Sequence, residues 1–332
     1  VQNQQKKRQQ EKTIMVGIPG QASIKRSGKV ILLCLTFFFI TGLLLSGKAN
    51  ATENGASVYP LGVDTVLGGM MPPPKETKLF VFNSFYSANE KDNSAGQSAT
   101  QEFKVRVFAN AVRVSHNWGV PVLGGKLESL FAIPVVYEQL HITPGKHDKI
   151  GISNVDLTPF VVGYNQGNWH WFYRCDFILP GASYAKSDAL NIGQHNFALG
   201  PVGAFTYLSN KARWEASSKV SYFVNFHGAA NYRSGNELIW EYAAMRAISR
   251  KVSLGVNGYL YQQVTDDQKK KIAVAGGNRG RDLAIGPAAR VSLGKQSGFT
   301  VKYVHDTLVE NRSRGGTLWF QIGFPLSFGK KE

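Results

Sequence analysis

The residues with the widest chemical repertoire are thinly spread. Seven histidines stand at 116, 141, 147, 170, 195, 227 and 305, and the two cysteines are Cys34 and Cys175. His141 and His147 flank Pro144-Gly145, where two imidazoles could meet across a turn as zinc ligands. No cysteine or carboxylate pattern completes that set. His170 sits between Trp169 and Trp171 and reads as a hydrogen-bonding residue. Asp266-Asp267 offers hard oxygen ligands to a cation such as Ca²⁺, but Lys269, Lys270 and Lys271 follow at once, which makes it a solvated turn. There is no Gly-x-Gly-x-x-Gly, phosphate loop, His-Glu-x-x-His or Gly-x-Ser-x-Gly. The residue types therefore point to no catalytic residue, no metal and no cofactor.

The next question is what elements could position these residues. The chain has 332 residues, 43% of them apolar, with 20 Phe, so intrinsic disorder is excluded. Residues 25–29 are basic, 30–45 are apolar and uncharged, and Ala49-Asn50-Ala51 closes the run. A basic region, an apolar core and an Ala-x-Ala exit define a cleavable signal peptide over residues 1–51, with the cut after Ala51. An uncleaved membrane anchor is the alternative. The polar residues 1–14 precede Met15, which is a candidate true start. Cys34 lies mid-core behind Leu33, so lipoprotein processing is discounted.

Of 38 Lys and Arg and 22 Asp and Glu, eight and one fall in residues 1–51, leaving 30 and 21, a net charge of +9. An exported chain seldom meets nucleic acid, and no basic run interleaves with aromatics. Only Cys175 remains after cleavage, so no intrachain disulfide forms.

The mature chain alternates with period two. In one segment Trp169, Trp171, Tyr173, Cys175, Phe177 and Leu179 oppose His170, Phe172, Arg174, Asp176 and Ile178. In another, Trp214, Ala216, Ser218, Val220, Tyr222, Val224 and Phe226 oppose Arg213, Glu215, Ser217, Lys219, Ser221, Phe223 and Asn225. Residues i and i+2 share a face of a strand, so each segment is a strand with one apolar side. Phe103, Val105, Val107, Ala109 and Ala111 likewise oppose Lys104, Arg106 and Asn110.

About twelve strands follow, starting near Leu79, Phe103, Leu127, Ile152, Trp169, Phe197, Trp214, Leu238, Val252, Ala284, Phe299 and Thr317. The longest polar connections are 88–100 and 265–283. A soluble sandwich shares this alternation. Strands of 10–15 residues, an export signal and aromatics at strand ends (Trp118, Trp169, Trp214, Phe226, Tyr242, Phe328) favour a transmembrane barrel. Twelve strands give a backbone cylinder roughly 24 Å across and a lumen about 10 Å wide.

Residues 52–78 do not alternate. Their paired Met, three consecutive Pro and paired Gly suit a plug folded into the lumen, with a flexible leader as the alternative. The stretch from Val58-Tyr59-Pro60-Leu61-Gly62-Val63-Asp64 to Met70-Met71-Pro72-Pro73-Pro74 resembles the mature N-terminus of the family named for the meta pathway of phenol degradation. Residues 254–267 (Leu-Gly-Val-Asn-Gly-Tyr-Leu-Tyr-Gln-Gln-Val-Thr-Asp-Asp) are similar to that family too. So is Asn278-Arg279-Gly280-Arg281, which leads to Ala284-Ile285-Gly286-Pro287. The resemblance implies an outer-membrane transporter-like barrel of a Gram-negative bacterium, associated with hydrophobic or aromatic substrates. It carries over no catalytic or binding residues.

The sequence thus describes an all-β, closed antiparallel transmembrane barrel over 79–332, with a plug or leader at 52–78. Its expected function is passive uptake of small apolar or aromatic compounds through the outer membrane. Its expected partners are outer-membrane lipid, lipopolysaccharide and those solutes. Tyr59, Pro60, Asp64, Met70 and Met71 are the candidate solute path. Arg106, Arg174, Asp176, Arg213, Glu215 and Lys219 are the candidate lumen, because they occupy the polar phase of the strands. A structural or surface barrel without transport is the alternative. A lipid-acting barrel enzyme is the remote one, since it needs a Ser nucleophile beside a His base and Gly193-Gln194-His195-Asn196 lacks the following Ser.

Overall fold

The computed structural model describes residues 56–326 apart from 100, 101, 144, 182, 186, 187, 189, 195, 229, 230 and 295. The signal segment with its candidate start and cut site, His195 and the terminal Phe328 lie outside the described residues.

Alternating sequence becomes strand almost throughout. The strands are β1 (Thr77–Lys91), β2 (Lys104–Val122), β3 (Gly125–Ile142), β4 (Gly145–Ile152), β5 (Val155–Gln166), β6 (Trp169–Leu179), β7 (Ala198–Leu208), β8 (Trp214–Asn225), β9 (Tyr232–Arg233), β10 (Glu237–Ala247), β11 (Val252–Gln263), β12 (Gln268–Lys269), β13 (Ile272–Ala273), β14 (Arg281–Ser292), β15 (Gly298–Glu310) and β16 (Ser313–Leu326). Every neighbouring pair is antiparallel. β1 bonds both β2 and β16, and β2 bonds β3, so the sheet closes into a ring of twelve staves. Closure leaves no free sheet edge around the ring. No described helix is long and apolar enough to cross a membrane, so any crossing falls to the strands.

The fourth stave has two pieces. β4 pairs with Val135 to Ile142 of β3, whereas β5 pairs with Lys126 to Ala132. The expected start near Ile152 is therefore a break at Ser153-Asn154 within a longer stave. The connections differ too. β1 runs on to Lys91, and 180–197 joins 264–280 as a long connection where none was expected, because Pro180-Gly181 ends β6. Short turns at 123–124, 167–168, 209–213, 248–251 and 293–297 gather at one end. The long connections 92–103, 180–197, 226–236 and 264–280 gather at the other, together with the small sheet of β9, β12 and β13.

The outer phase is apolar. Phe85, Phe108, Val112, Val114, Phe131, Ile133, Val135, Tyr173, Leu254, Val256 and Ile285 are all exposed on it. Trp118, Trp169 and Trp214, also exposed, sit beside the short turns as an aromatic rim. Tyr242 lies mid-strand in β10 rather than at a strand end. The inner phase carries the polar load: Arg174, Asp176, Glu215, Lys219, Glu237, Glu241, Asn257, Lys302 and Asp306 are buried. A water-soluble sandwich would have these two phases the other way round.

Residues 56–76 run inside this ring. The Ala56 carbonyl accepts from Gln194 in the long connection, and Thr77 opens β1 at the short-turn end. The segment therefore follows the lumen from one end to the other.

Candidate functional site

The inner segment touches the barrel chiefly through its backbone, which has no ladder of its own. The unpaired N–H and C=O groups must find partners elsewhere, and luminal side chains supply them. Glu237 accepts from the Ser57 hydroxyl (2.7 Å) and the Val58 amide (3.1 Å). Glu241 accepts from the Asp64 amide (2.9 Å), Glu215 from the Leu67 amide (2.8 Å), and Thr206 from the Gly69 amide (2.9 Å). Lys302 donates to the carbonyls of Gly62 (2.5 Å) and Val63 (2.9 Å) and to the Thr65 hydroxyl (2.8 Å). Gly69 has to be glycine here: a Cβ would stand 2.4 Å from the Phe205 and Thr206 backbone.

Asp64 lies at the centre. Arg113 from β2 grips both of its oxygens (2.8 and 3.3 Å), Lys219 from β8 lies at 3.1 Å, and Arg174 from β6 at 3.8 Å. The Tyr59 hydroxyl also donates to it, at 2.9 Å. Three cations and one phenol thus surround a single carboxylate. The Tyr59 ring stacks on Phe223 at 5.4 Å, and the Lys219 ammonium sits 4.1 Å from the ring centroid.

Toward the short turns the segment no longer fills the lumen. A cavity of about 1540 Å³, including its open mouth, lies there. Val66, Leu67, Met70, Met71, Phe80 and Phe82 give it an apolar wall, and Leu130, Val161 and Phe172 continue it. Lys78, Arg113, Arg174, Arg290, Asp64 and Glu128 are its charged members. Met71 packs on Leu130, Val161, Phe172, Val202 and Ala204.

The named candidates separate into groups. Tyr59 and Asp64 meet Arg174, Asp176 and Lys219 in one network, with Arg174 paired to Asp176 at 2.8 Å. Glu215 is buried nearby and pairs with Arg290 at 3.2 Å. Met70 and Met71 line the cavity, while Pro60 is exposed beside the cluster. Arg106, expected in the lumen, lies instead on the outward phase, where it donates to Ser87. Its register neighbours Val105 and Phe103 are the buried ones, packed with Ala88. The run Ala109-Asn110-Ala111-Val112 is apolar or small on both phases, so polarity could not assign the faces of β2. Arg213 is exposed at the short-turn rim, one residue before β8 begins. Arg113, Glu237, Glu241, Lys302 and Glu128 were missed. Lys302 stood out as the one cation between Phe299, Val301 and Tyr303, and Glu237 with Glu241 alternates with Ile239.

The other chemical candidates resolve locally. His141 pairs in register with Lys146, and His147 with Leu140, so the two imidazoles fall on opposite faces of the β3–β4 hairpin. Asp266 pairs with Arg279 at 2.7 Å. Asp267 accepts from Tyr232, the Gly235 amide (2.8 Å) and Gln263 (2.9 Å), so its oxygens are already occupied by donors. Among the described residues no group of three or more His, Cys, Asp or Glu could hold a metal ion.

A closed twelve-stave barrel with an apolar outside, an aromatic rim and a charged, segment-bearing inside is an outer-membrane β-barrel channel. The chain belongs to the family described as "Putative MetA-pathway of phenol degradation", which matches residues 88–322. Its fold is that of the COG4313 outer membrane channel from Pseudomonas putida F1, with a TM-score of 0.67 at 16% identity over 78% of this chain and 98% of that one. The NanC porin overlaps less well, with a TM-score of 0.39 at 10% identity over 74% of this chain and 97% of that one. The β domain of the Bordetella autotransporter BrkA gives 0.40 at 12% identity over 76% and 99%. No curated protein sequence matches the chain. In the outer membrane, the short-turn end is the periplasmic one.

Proposed function

We propose that this barrel passes small apolar or aromatic molecules passively across the outer membrane, with residues 56–76 forming the selective wall of the path. The supporting observation is the cavity at the periplasmic end: thioether and aromatic side chains line it together with six charged ones. Met is flexible and polarisable, so Met70 and Met71 make an adaptable surface for a ring. Concave, mostly apolar sites with a few fixed polar groups are the usual form of small-molecule sites.

The protein reaches the membrane through removal of residues 1–51, and the long connections face lipopolysaccharide. N-terminal sequencing of membrane-derived protein should return Thr52. Flux decides the transport reading. Liposomes carrying the purified protein should take up phenol-like solutes faster than empty liposomes and faster than polar solutes of equal size. Equal rates with and without protein would leave a structural or surface role.

A further inference from the structure

The charges around Asp64 do not balance within the wall. Three cations converge there from three staves: Arg113, Arg174 and Lys219. Within ion-pair distance the wall supplies two carboxylates, Asp176 to Arg174 and Glu241 to Lys219. Asp156 is joined to Asp176 only through the Thr158 hydroxyl and has no cation within that distance. The third carboxylate comes from Asp64, which belongs to the inner segment and to no strand. Removing the segment leaves Arg113 with no carboxylate within ion-pair distance, Glu128 and Asp156 lying farther off, and an unpaired buried charge is costly. The barrel has therefore built a carboxylate site that its own chain fills.

What fills it also has the shape of a solute. The Tyr59 ring lies flat on Phe223, its hydroxyl reaches Asp64, and Lys219 covers its face. Val58, Val63, Ile178 and Ile239 pack in the same cluster. An aromatic ring beside a carboxylate, in an apolar pocket with a guanidinium fork, is how the wall would hold an aromatic acid.

We infer that the Arg113–Arg174–Lys219 cluster is a binding site for aromatic carboxylates, and that Tyr59 and Asp64 occupy it as an internal stand-in. This deepens the uptake reading and rests on it: the preferred solute carries a ring and a carboxylate, and it competes with the segment for the same cations.

The test is chemical replacement of the missing carboxylate. Asp64→Ala channels in planar bilayers are titrated with benzoate, and separately with benzyl alcohol and benzylamine. Benzoate should reduce the current at concentrations about tenfold or more below benzyl alcohol, because only it restores charge-assisted bonds. Benzylamine should be the weakest of the three. Adding Arg113→Met to Asp64→Ala should erase the benzoate preference. Equal block by benzoate and benzyl alcohol would overturn the assignment, as would a preference that survives Arg113→Met. Asp64→Asn, which keeps the side-chain volume, carries the same titration if the Ala variant does not shift mobility on heating in detergent gels. Failure of the uptake reading looks different: phenol-like flux through the intact protein would match empty liposomes whatever benzoate does.

Discussion

The inner segment has two halves that the barrel treats in opposite ways. From residue 57 to 69 wall side chains bind the amides of Val58, Asp64, Leu67 and Gly69 and the carbonyls of Val58, Gly62 and Val63, and Asp64 is locked by three cations. From residue 70 to 76 the wall reaches in through Asn117, whose side chain donates to the Pro72 carbonyl (2.8 Å), whose amide donates to the Glu76 carbonyl (3.0 Å) and whose carbonyl accepts from the Lys75 amide (2.7 Å). Met70 is 36% exposed to the cavity, and Pro73, Pro74 and Lys75 are exposed as well. Three prolines stiffen this stretch, because the ring fixes φ. The upper half is held by many wall side chains and by ion pairs, which set where the segment sits. The lower half is tied to one wall residue, Asn117, and Met70 and Met71 before it are held to the wall by packing alone. On the proposed transport reading, closure and selectivity would then sit on adjacent residues and use different chemistry.

Removing both halves gives the largest effect. Deletion of 55–75 should raise ion conductance several-fold, because a lumen about 10 Å wide is then unobstructed, and it should abolish preference for aromatic over equally sized polar solutes. Unchanged single-channel conductance would mean the segment does not obstruct the ion path.

Loosening only the upper half should do less. Lys302→Met strips a donor from the Gly62 and Val63 carbonyls and the Thr65 hydroxyl; Val63 keeps Gln321 and Thr65 keeps its bond to Asn257, so the Gly62 carbonyl is the group orphaned. Orphaned buried groups cost about 1–3 kcal/mol each. Conductance of Lys302→Met should fall between wild type and the deletion, with brief openings in single-channel records. A variant as closed as wild type would show that Lys302 holds nothing in place.

These contrasts were only partly legible in the sequence. Ring closure does not follow from alternation, because a sandwich alternates in the same way; it rests on strand length, the export signal and the aromatics at strand ends. The outward apolar phase and the inward Arg174, Asp176, Glu215 and Lys219 do follow from alternation in β6 and β8, where every charge falls on one phase. β2 failed for the opposite reason. It is polar-poor on both phases around 109–112, so Arg106 was placed inside and Arg113, the strongest partner of Asp64, went unnoticed. The break at Ser153-Asn154 shifts the alternation by one residue, since Ile150, Ile152 and Leu157 all face outward although they do not share one parity, and a strand begun near Ile152 does not register that shift. The pairing of Asp64 with cations from three staves is a contact between residues far apart in sequence. Periodicity assigns a face, but it cannot say which residues share a level in the lumen.

The smallest effect should come from the lower half, through Gly163. A Cβ at this position would stand 1.5 Å from the Met71 sulfur, with the Met71 methyl at 2.9 Å. Gly163→Ala must therefore push the Met71 side chain off its bed of Leu130, Val161 and Phe172. Only the end of a flexible side chain has to give, so the cost is low and the barrel should assemble normally, with heat-shifted gel mobility intact. None of the bonds to residues 57–69 involves Gly163, so ion conductance should equal wild type. What changes is the surface a ring would meet: flux of phenol relative to a polar solute of equal size should drop about two- to threefold, the factor for losing part of a contact worth about 0.8 kcal/mol per methylene. If Gly163→Ala instead raised conductance as far as Lys302→Met, the two halves would be one mechanical unit, and the division between a half that closes and a half that selects would fail.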